Sequence, residues 1–227
     1  MPPDPNTHLG QLLIRLEDWM PIPEFVHAMD AYYKSDRPDN EVKAIRAKSN
    51  PAKKLRDEIG PVLHHVKFMK AIGDVRFPQD NDVPDCWLRA SPHGTQHGVE
   101  VTCALAREQA LLGKRMNTRG IVPGFLGVPD DAPQTVFEKK LERGRIMHST
   151  DGVLRAVCES IKACLRNKNN PKYQGHDLLV EANLTILPNE RWSLIENELQ
   201  QAVQDMPFRQ IHVIGDQDKS LFGFRIK

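Results

Sequence analysis

The sequence predicts an α/β (α+β) domain, a central mixed β-sheet flanked by helices, preceded by an N-terminal helical extension. Three observations predict it. Apolar residues recur at helical spacing in several stretches, most clearly from Leu55 to Val66 and from Leu154 to Leu165. Short strand-like runs lie between such stretches, three in succession from Val75 to Thr102 and others after residue 177. Strands and helices in this order bury their apolar faces by stacking helices on a sheet. At 227 residues the chain suits one α/β domain with an extension, and it can bury a core without disulfides.

The elements follow in order. Residues 8 to about 34 read as helical, with Leu9, Leu12, Leu13, Leu16 and Trp19 at helical spacing. Pro21 and Pro23 interrupt the pattern, and Phe25, Val26, Met29 and Tyr33 resume it. Residues 1–48 form the helical extension, whose expected role is packing on the main domain or on a second copy of the chain. The main domain covers 49–227. A helix should begin near Asn50-Pro51, since Asn caps well and Pro suits a first helical position. Leu55, Ile59, Val62, Leu63 and Val66 mark its face, and Gly60-Pro61 is placed to bend or split it.

Val75 to Phe77 reads as a strand, followed by the acidic turn Asp80-Asn-Asp82. The runs Val83 to Leu88 and Gly98 to Thr102 then read as a hairpin around Ser91 to His97. A helix is expected from Ala104 to about Met116. Ile121 to Pro133 is a Gly/Pro-rich apolar loop, long enough to cover a cleft or to serve as a connector. Thr150 or Asp151 can cap a helix with Leu154, Cys158, Ile161 and Leu165 on its apolar face. Asp177 to Leu187 reads as a buried strand, Arg191 to Val203 as a helix, and Ile211 to Ile214 and Leu221 to Ile226 as a final strand pair. Residues 215–219 form the turn between them.

The formal charge of +1, with 27% charged residues, neither favours nor excludes a polyanionic partner. Basic residues do cluster, at Lys43, Arg46, Lys48, Lys53, Lys54 and Arg56 and again at Lys139, Lys140, Arg143 and Arg145. Solvated helix faces account for such clusters, as do phosphate contacts along a nucleic-acid path. Cys86, Cys103, Cys158 and Cys164 form no CxxC pair and read as buried thiols in a reducing compartment. The N-terminal residues carry no signal-peptide pattern and no apolar run is long enough to span a membrane, so a cytoplasmic location and no membrane partner are expected.

Asp85 and Glu100 are the residues that most invite a chemical reading. Both sit in apolar, strand-like runs, where an unpaired carboxylate is costly. A shared divalent cation resolves that cost. On adjacent antiparallel strands the two can point to the same side. With the Val101 carbonyl they would offer hard oxygen ligands suited to Mg²⁺ or Mn²⁺. Separately, Asp85 facing water at an edge and Glu100 paired with Arg89 would need no metal.

Pro84-Asp85 and, after fourteen residues, Glu100-Val101-Thr102 resemble the core motif of the PD-(D/E)XK nuclease superfamily, the restriction-endonuclease-like fold. The resemblance covers about residues 50 to 187. It departs from the superfamily at Thr102, which stands where Glu-x-Lys has its lysine. Glu58, in the preceding helix, matches an acidic helix position that many members carry. The resemblance implies a divalent-metal-dependent nuclease acting on DNA phosphodiester bonds, with Mg²⁺ or Mn²⁺ at Asp85, Glu100, Val101 and Glu58. It also admits a catalytically inactive nucleic-acid- or protein-binding module on the same fold. Cutting both strands would favour a homodimer.

Some branches of the superfamily place the basic residue on a neighbouring helix. Lys168 extends the Leu154–Leu165 stripe by three residues, so it is expected on the sheet-facing side at the helix end. Lys162 lies at the edge of that stripe, and Lys172 follows the helix break. Lys168 is favoured over Lys162. Thr102 can donate a hydrogen bond but supplies no charge. His65, seven residues from Glu58, is the histidine expected nearest that face. His93 and His97 flank a turn, where the i,i+4 geometry of a helical metal pair does not apply. No GxxxxGK[ST] or GxGxxG sequence occurs, so nucleotide binding by those loops is unsupported.

Overall fold

The three strand-like runs between residues 74 and 103 do form an antiparallel meander in the structure, a computed structural model. It describes residues 4–80, 82–143, 146–215 and 221–227. Strand β1 (Met20–Pro21) precedes the meander of β2 (Asp74–Arg76), β3 (Cys86–Arg89) and β4 (Gln96–Cys103). Val75 pairs with Leu88, and Cys86 with Val99. The chain then crosses through three helices to β5 (Asp177–Ala182), parallel to β4 with Val101 level with Leu179. β6 (Ile211–Gly215) is parallel to β5, and β7 (Gly223–Arg225) is antiparallel to β6. Among the described residues the seven strands make one mixed sheet in chain order. Beyond Gly215, the turn expected at 215–219 lies outside the described residues.

Two apolar layers sandwich the sheet. One face is covered by α1 (His8–Arg15), α2 (Ile22–Lys34) and α5 (Gly60–Met69). Leu13, Phe25, Met29, Leu63 and Val66 there meet Val75, Val99, Val101 and Leu179 of the sheet in one cluster. The N-terminal helices therefore pack on the same core as α5, and β1 extends the sheet beyond β2. The two prolines that interrupt the pattern mark this join: Pro21 ends β1 and Pro23 sits in the first turn of α2, where a missing N–H costs nothing.

The opposite face is covered by α8 (Thr150–Lys168) and α9 (Ser193–Ala202), whose Leu154, Ile161, Leu165 and Leu199 meet Leu178, Val180 and Val213. The expected stripe on α8 is thus buried, and its cap is Ser149, whose hydroxyl accepts from Gly152 N at 3.1 Å. β5 stops at Ala182, five residues earlier than the apolar run suggests. Leu184–Ile186 instead form a 3₁₀ turn, and the fully buried Trp192 donates its indole N–H to Leu184 O at 2.9 Å.

Three further elements complete the crossover and its surroundings: α3 (Asp39–Arg46), α6 (Ala106–Arg119) and α7 (Gln134–Glu142). α7 has no strong apolar period and was not anticipated. Residues 121–133 carry no helix or strand, yet they are tied down. Glu108 accepts from Leu126 N at 2.7 Å and Val128 N at 3.0 Å. Asp130 accepts from Ala106 N and Arg107 N, both at 3.0 Å, and so caps α6 from the far side of the loop.

The helix expected after Asn50 runs from α4 (Ala52–Lys54) through a π-helical turn, Leu55–Ile59, into α5. Pro61 supplies the reason. It has no N–H to give Asp57 O, four residues earlier. The carbonyl is met instead by the Cys103 thiol at 3.5 Å. Glu58 sits in that wide turn. A π turn inside an α-helix displaces the side chains that follow it, a device common at functional sites.

Candidate functional site

Strand lengths place the acidic residues together. β4 continues past the point where β3 begins, so the stretch from Glu100 to Cys103 lacks a main-chain partner on that side. Asp85 stands one residue before β3, which the register brings level with Glu100. Its carboxylate substitutes for the missing strand and accepts from Val101 N at 2.7 Å. The N–H and C=O of a strand residue project to the same edge, so the Val101 carbonyl also faces the Asp85 side. Val99 and Val101 belong to the layer under α5, which turns Glu100 and Thr102 toward α8.

Lys168 arrives from the last turn of α8 and pairs with Glu100 Oε1. Its ammonium also lies 5.3 Å from the centre of the Tyr173 ring. Glu100 is 5% exposed, and its second oxygen, Oε2, is buried with no hydrogen-bond partner. Glu58 is partly buried and pairs with Lys54 at 3.0 Å.

The electrostatics follow from one buried and two partly buried acids with too few cations. Burial, then the charges of Glu100 and Glu58, push the Asp85 carboxyl up to about 7, against a pull downward from Val101 N–H and Lys168. Burial raises Glu58 too, with Lys54 opposing and Asp57 and Glu100 adding to the rise. Burial works against the charge on Lys168, but its hydrogen bond to Glu100 and the charges of Glu100 and Asp85 outweigh it and hold the ammonium above its ordinary value.

The structure therefore brings Asp85, Glu100, Val101 and Lys168 together, with Glu58 close enough to act on both acids. Thr102 shares the face of Glu100 but lies beside Cys164 of α8, whose thiol donates to Cys103 O at 3.5 Å. Lys162 stands apart, paired with Glu159 at 3.0 Å and with Glu198 of α9. Arg89 does not pair with Glu100. It takes Asp74 at 2.8 Å and lies over the Trp19 ring. His65 packs against His212, rings tilted at 53° with centres 5.0 Å apart, while its neighbour His64 approaches Glu181 at 3.7 Å. Two buried partnerships had no signal in the sequence: Lys48 with Asp57 at 2.5 Å, and Tyr173 beneath Lys168. Each joins residues whose contact depends on how distant segments pack.

The residues fit a divalent cation to a defined extent. The bare Glu100 Oε2 and the elevated Asp85 carboxyl are what a site short of positive charge looks like. Among the described residues no three His, Cys, Asp or Glu side chains gather closely enough to hold a metal ion alone. A cation here would rest on two carboxylates, main-chain oxygen and water. That suits Mg²⁺, which keeps several waters. No family model, curated protein or solved structure matches the chain. Among the described residues no helix is long and apolar enough to cross a membrane.

Two outcomes test this geometry. Gly98 lies beneath Pro84, and a Cβ there would come within 2.4 Å of Pro84 Cγ and 2.5 Å of His176 Nδ1. Gly98→Ala is expected to cost about 1–3 kcal/mol in urea unfolding and to displace the Pro84-Asp85 segment. Asp85→Asn keeps an acceptor for Val101 N and removes the charge. A folded-state pKa above the unfolded one penalises the fold as pH rises from about 4 to about 7. Asp85→Asn should therefore match wild type near pH 4 and melt several degrees higher above pH 7 in metal-free buffer. Identical melting temperatures at pH 8 would contradict the buried, charge-crowded placement of Asp85.

Proposed function

We propose that this chain is a divalent-metal-dependent nuclease on a restriction-endonuclease-like fold, hydrolysing phosphodiester bonds of DNA at the Asp85–Glu100 site. The observation that carries the reading is the convergence of Asp85 from the entry to β3, Glu100 from β4 and Lys168 from α8, with Glu100 Oε2 left buried and unpartnered. The acidic pair resembles the PD-(D/E)XK motif, and Lys168 brings to Glu100 the positive charge that Thr102 lacks.

Asp85, Glu100 and the Val101 carbonyl would hold the cation. Mg²⁺ or Mn²⁺ bound there would lower the pKa of a water and polarise a phosphate oxygen. Lys168, fixed by Glu100, can orient an attacking water or offset charge developing on the phosphate. Glu58, released from Lys54, would hold a metal-bound water or a second ion. A paired cut in duplex DNA would call for two copies of the chain.

The test is cleavage of supercoiled plasmid and of single-stranded DNA with Mg²⁺ or Mn²⁺. Metal-dependent products that vanish with EDTA support the proposal. Folded protein that cuts neither substrate with either ion counts against it. One observation favours a second reading, a nucleic-acid- or protein-binding module without chemistry: Lys54 already neutralises Glu58, leaving only two acids for a cation. That reading predicts DNA binding that is indifferent to EDTA and to loss of Asp85.

A further inference from the structure

A cleft of about 390 Å³ opens beyond the C-terminal ends of β4 and β5, away from the acidic pair, among α3, α6, the π turn and the 121–133 segment. Its walls include Leu112, Met116 and Phe125, and Arg46 and Arg56 reach it from two different helical segments. Both arginines are exposed, and neither has an ion-pair partner among the described residues. Gln109 lines the cleft from α6, and its side-chain carbonyl oxygen is buried with no hydrogen-bond partner.

The 121–133 segment forms a fixed wall. Its amides at Leu126 and Val128 donate to Glu108, and its Asp130 carboxylate accepts from the α6 amides of Ala106 and Arg107, at 2.7–3.0 Å. On the opposite side α3 lies against α6 closely enough that a Cβ on Gly113 would come within 1.7 Å of Arg46 O. The cleft is therefore pre-formed, and pre-formation lowers the ordering cost of binding.

We propose that this cleft binds a nucleotide unit, an aromatic base carrying a phosphate. The apolar walls and the volume suit a flat ring. Gln109 lines the cleft beside that ring position and offers an amide to a base edge, and the two guanidiniums supply the fork geometry that phosphate oxygens match. A free mononucleotide and a nucleotide within a strand share this chemistry. The inference does not depend on the acidic pair being catalytic.

Calorimetric titration of the full chain in EDTA would use AMP, a short single-stranded oligonucleotide, adenosine and inorganic phosphate. AMP binding identifies a free nucleotide as the ligand, and binding of the oligonucleotide alone identifies a strand. In either case Arg46→Ala with Arg56→Ala should weaken affinity at least tenfold, and Gln109→Leu roughly fivefold, with near-UV circular dichroism unchanged. Asp85→Asn should leave binding intact, so failure here and failure of the nuclease reading are separable. Three results would overturn the proposal: no binding of AMP or oligonucleotide, binding indifferent to both sets of variants, or inorganic phosphate binding as tightly as AMP.

Discussion

Asp85→Ala and Glu100→Ala should each lower Mg²⁺-dependent DNA cleavage by about two to three orders of magnitude, measured as initial rates on plasmid. Each removes one of only two carboxylates on which a cation would rest, so neither can be covered by a neighbour. The pH dependence is specific. With the Asp85 carboxyl near 7, a proton competes with the cation for the same oxygens. At subsaturating Mg²⁺ the wild-type rate should rise about tenfold per pH unit below that value and level off above it. Raising the Mg²⁺ concentration should shift the bend to lower pH, because the cation favours the ionised form. A rate indifferent to pH between 5 and 8, or full activity in either variant, would remove the acidic pair from the chemistry.

Lys168→Met should have a double effect. Glu100 is almost wholly enclosed and Lys168 is its ion-pair partner. Breaking a buried pair by removing one member costs about 3–5 kcal/mol, which in a chain of this size is on the order of 10 °C in Tm. The variant should also lose most cleavage activity, since among the described residues no other cation pairs with Glu100. A companion change separates the two effects. Adding Glu100→Gln to Lys168→Met removes the stranded charge and should recover most of the stability and none of the activity. If Lys168→Met melts with wild type, the ammonium is not paired in solution as it is in the structure. If it cleaves with wild type, the helix-borne lysine has no part in the reaction.

Much of this arrangement was legible in the sequence, for definable reasons. The meander and α8 announce themselves because alternation and the 3.6-residue period are local signals. Lys168 could be picked out because a charged residue on the line of Leu154, Cys158, Ile161 and Leu165 needs a partner on the sheet. Asp85 and Glu100 were visible as acids inside strand-like runs. What stayed hidden depends on contacts between distant segments. The π turn arises where Pro61 leaves the Asp57 carbonyl to the Cys103 thiol, and with it went the expectation that His65 would lie on the Glu58 side. β5 ends early because Trp192 claims a carbonyl at Leu184. α7 is amphipathic too weakly to declare itself, and β1 is a two-residue strand that only its neighbour defines. Arg89 was a plausible partner for Glu100 by proximity in the hairpin, but Asp74 on the next strand takes it.

The attachment of residues 121–133 to α6 bears on the order of folding. α6 has no cap of its own: Leu105, at its start, is in the left-handed conformation at φ 61° and makes no side-chain capping bond. Its first amides are satisfied only when Asp130 has come back across more than twenty residues. Forming a first helical turn is already the unfavourable step of helix growth, and here it must await a long-range closure. α6 should therefore mature late, together with this segment, as one cooperative unit. Pulse-labelled hydrogen exchange would see the amides of Ala106, Arg107, Leu126 and Val128 become protected in the same phase, after those of β4 and β5.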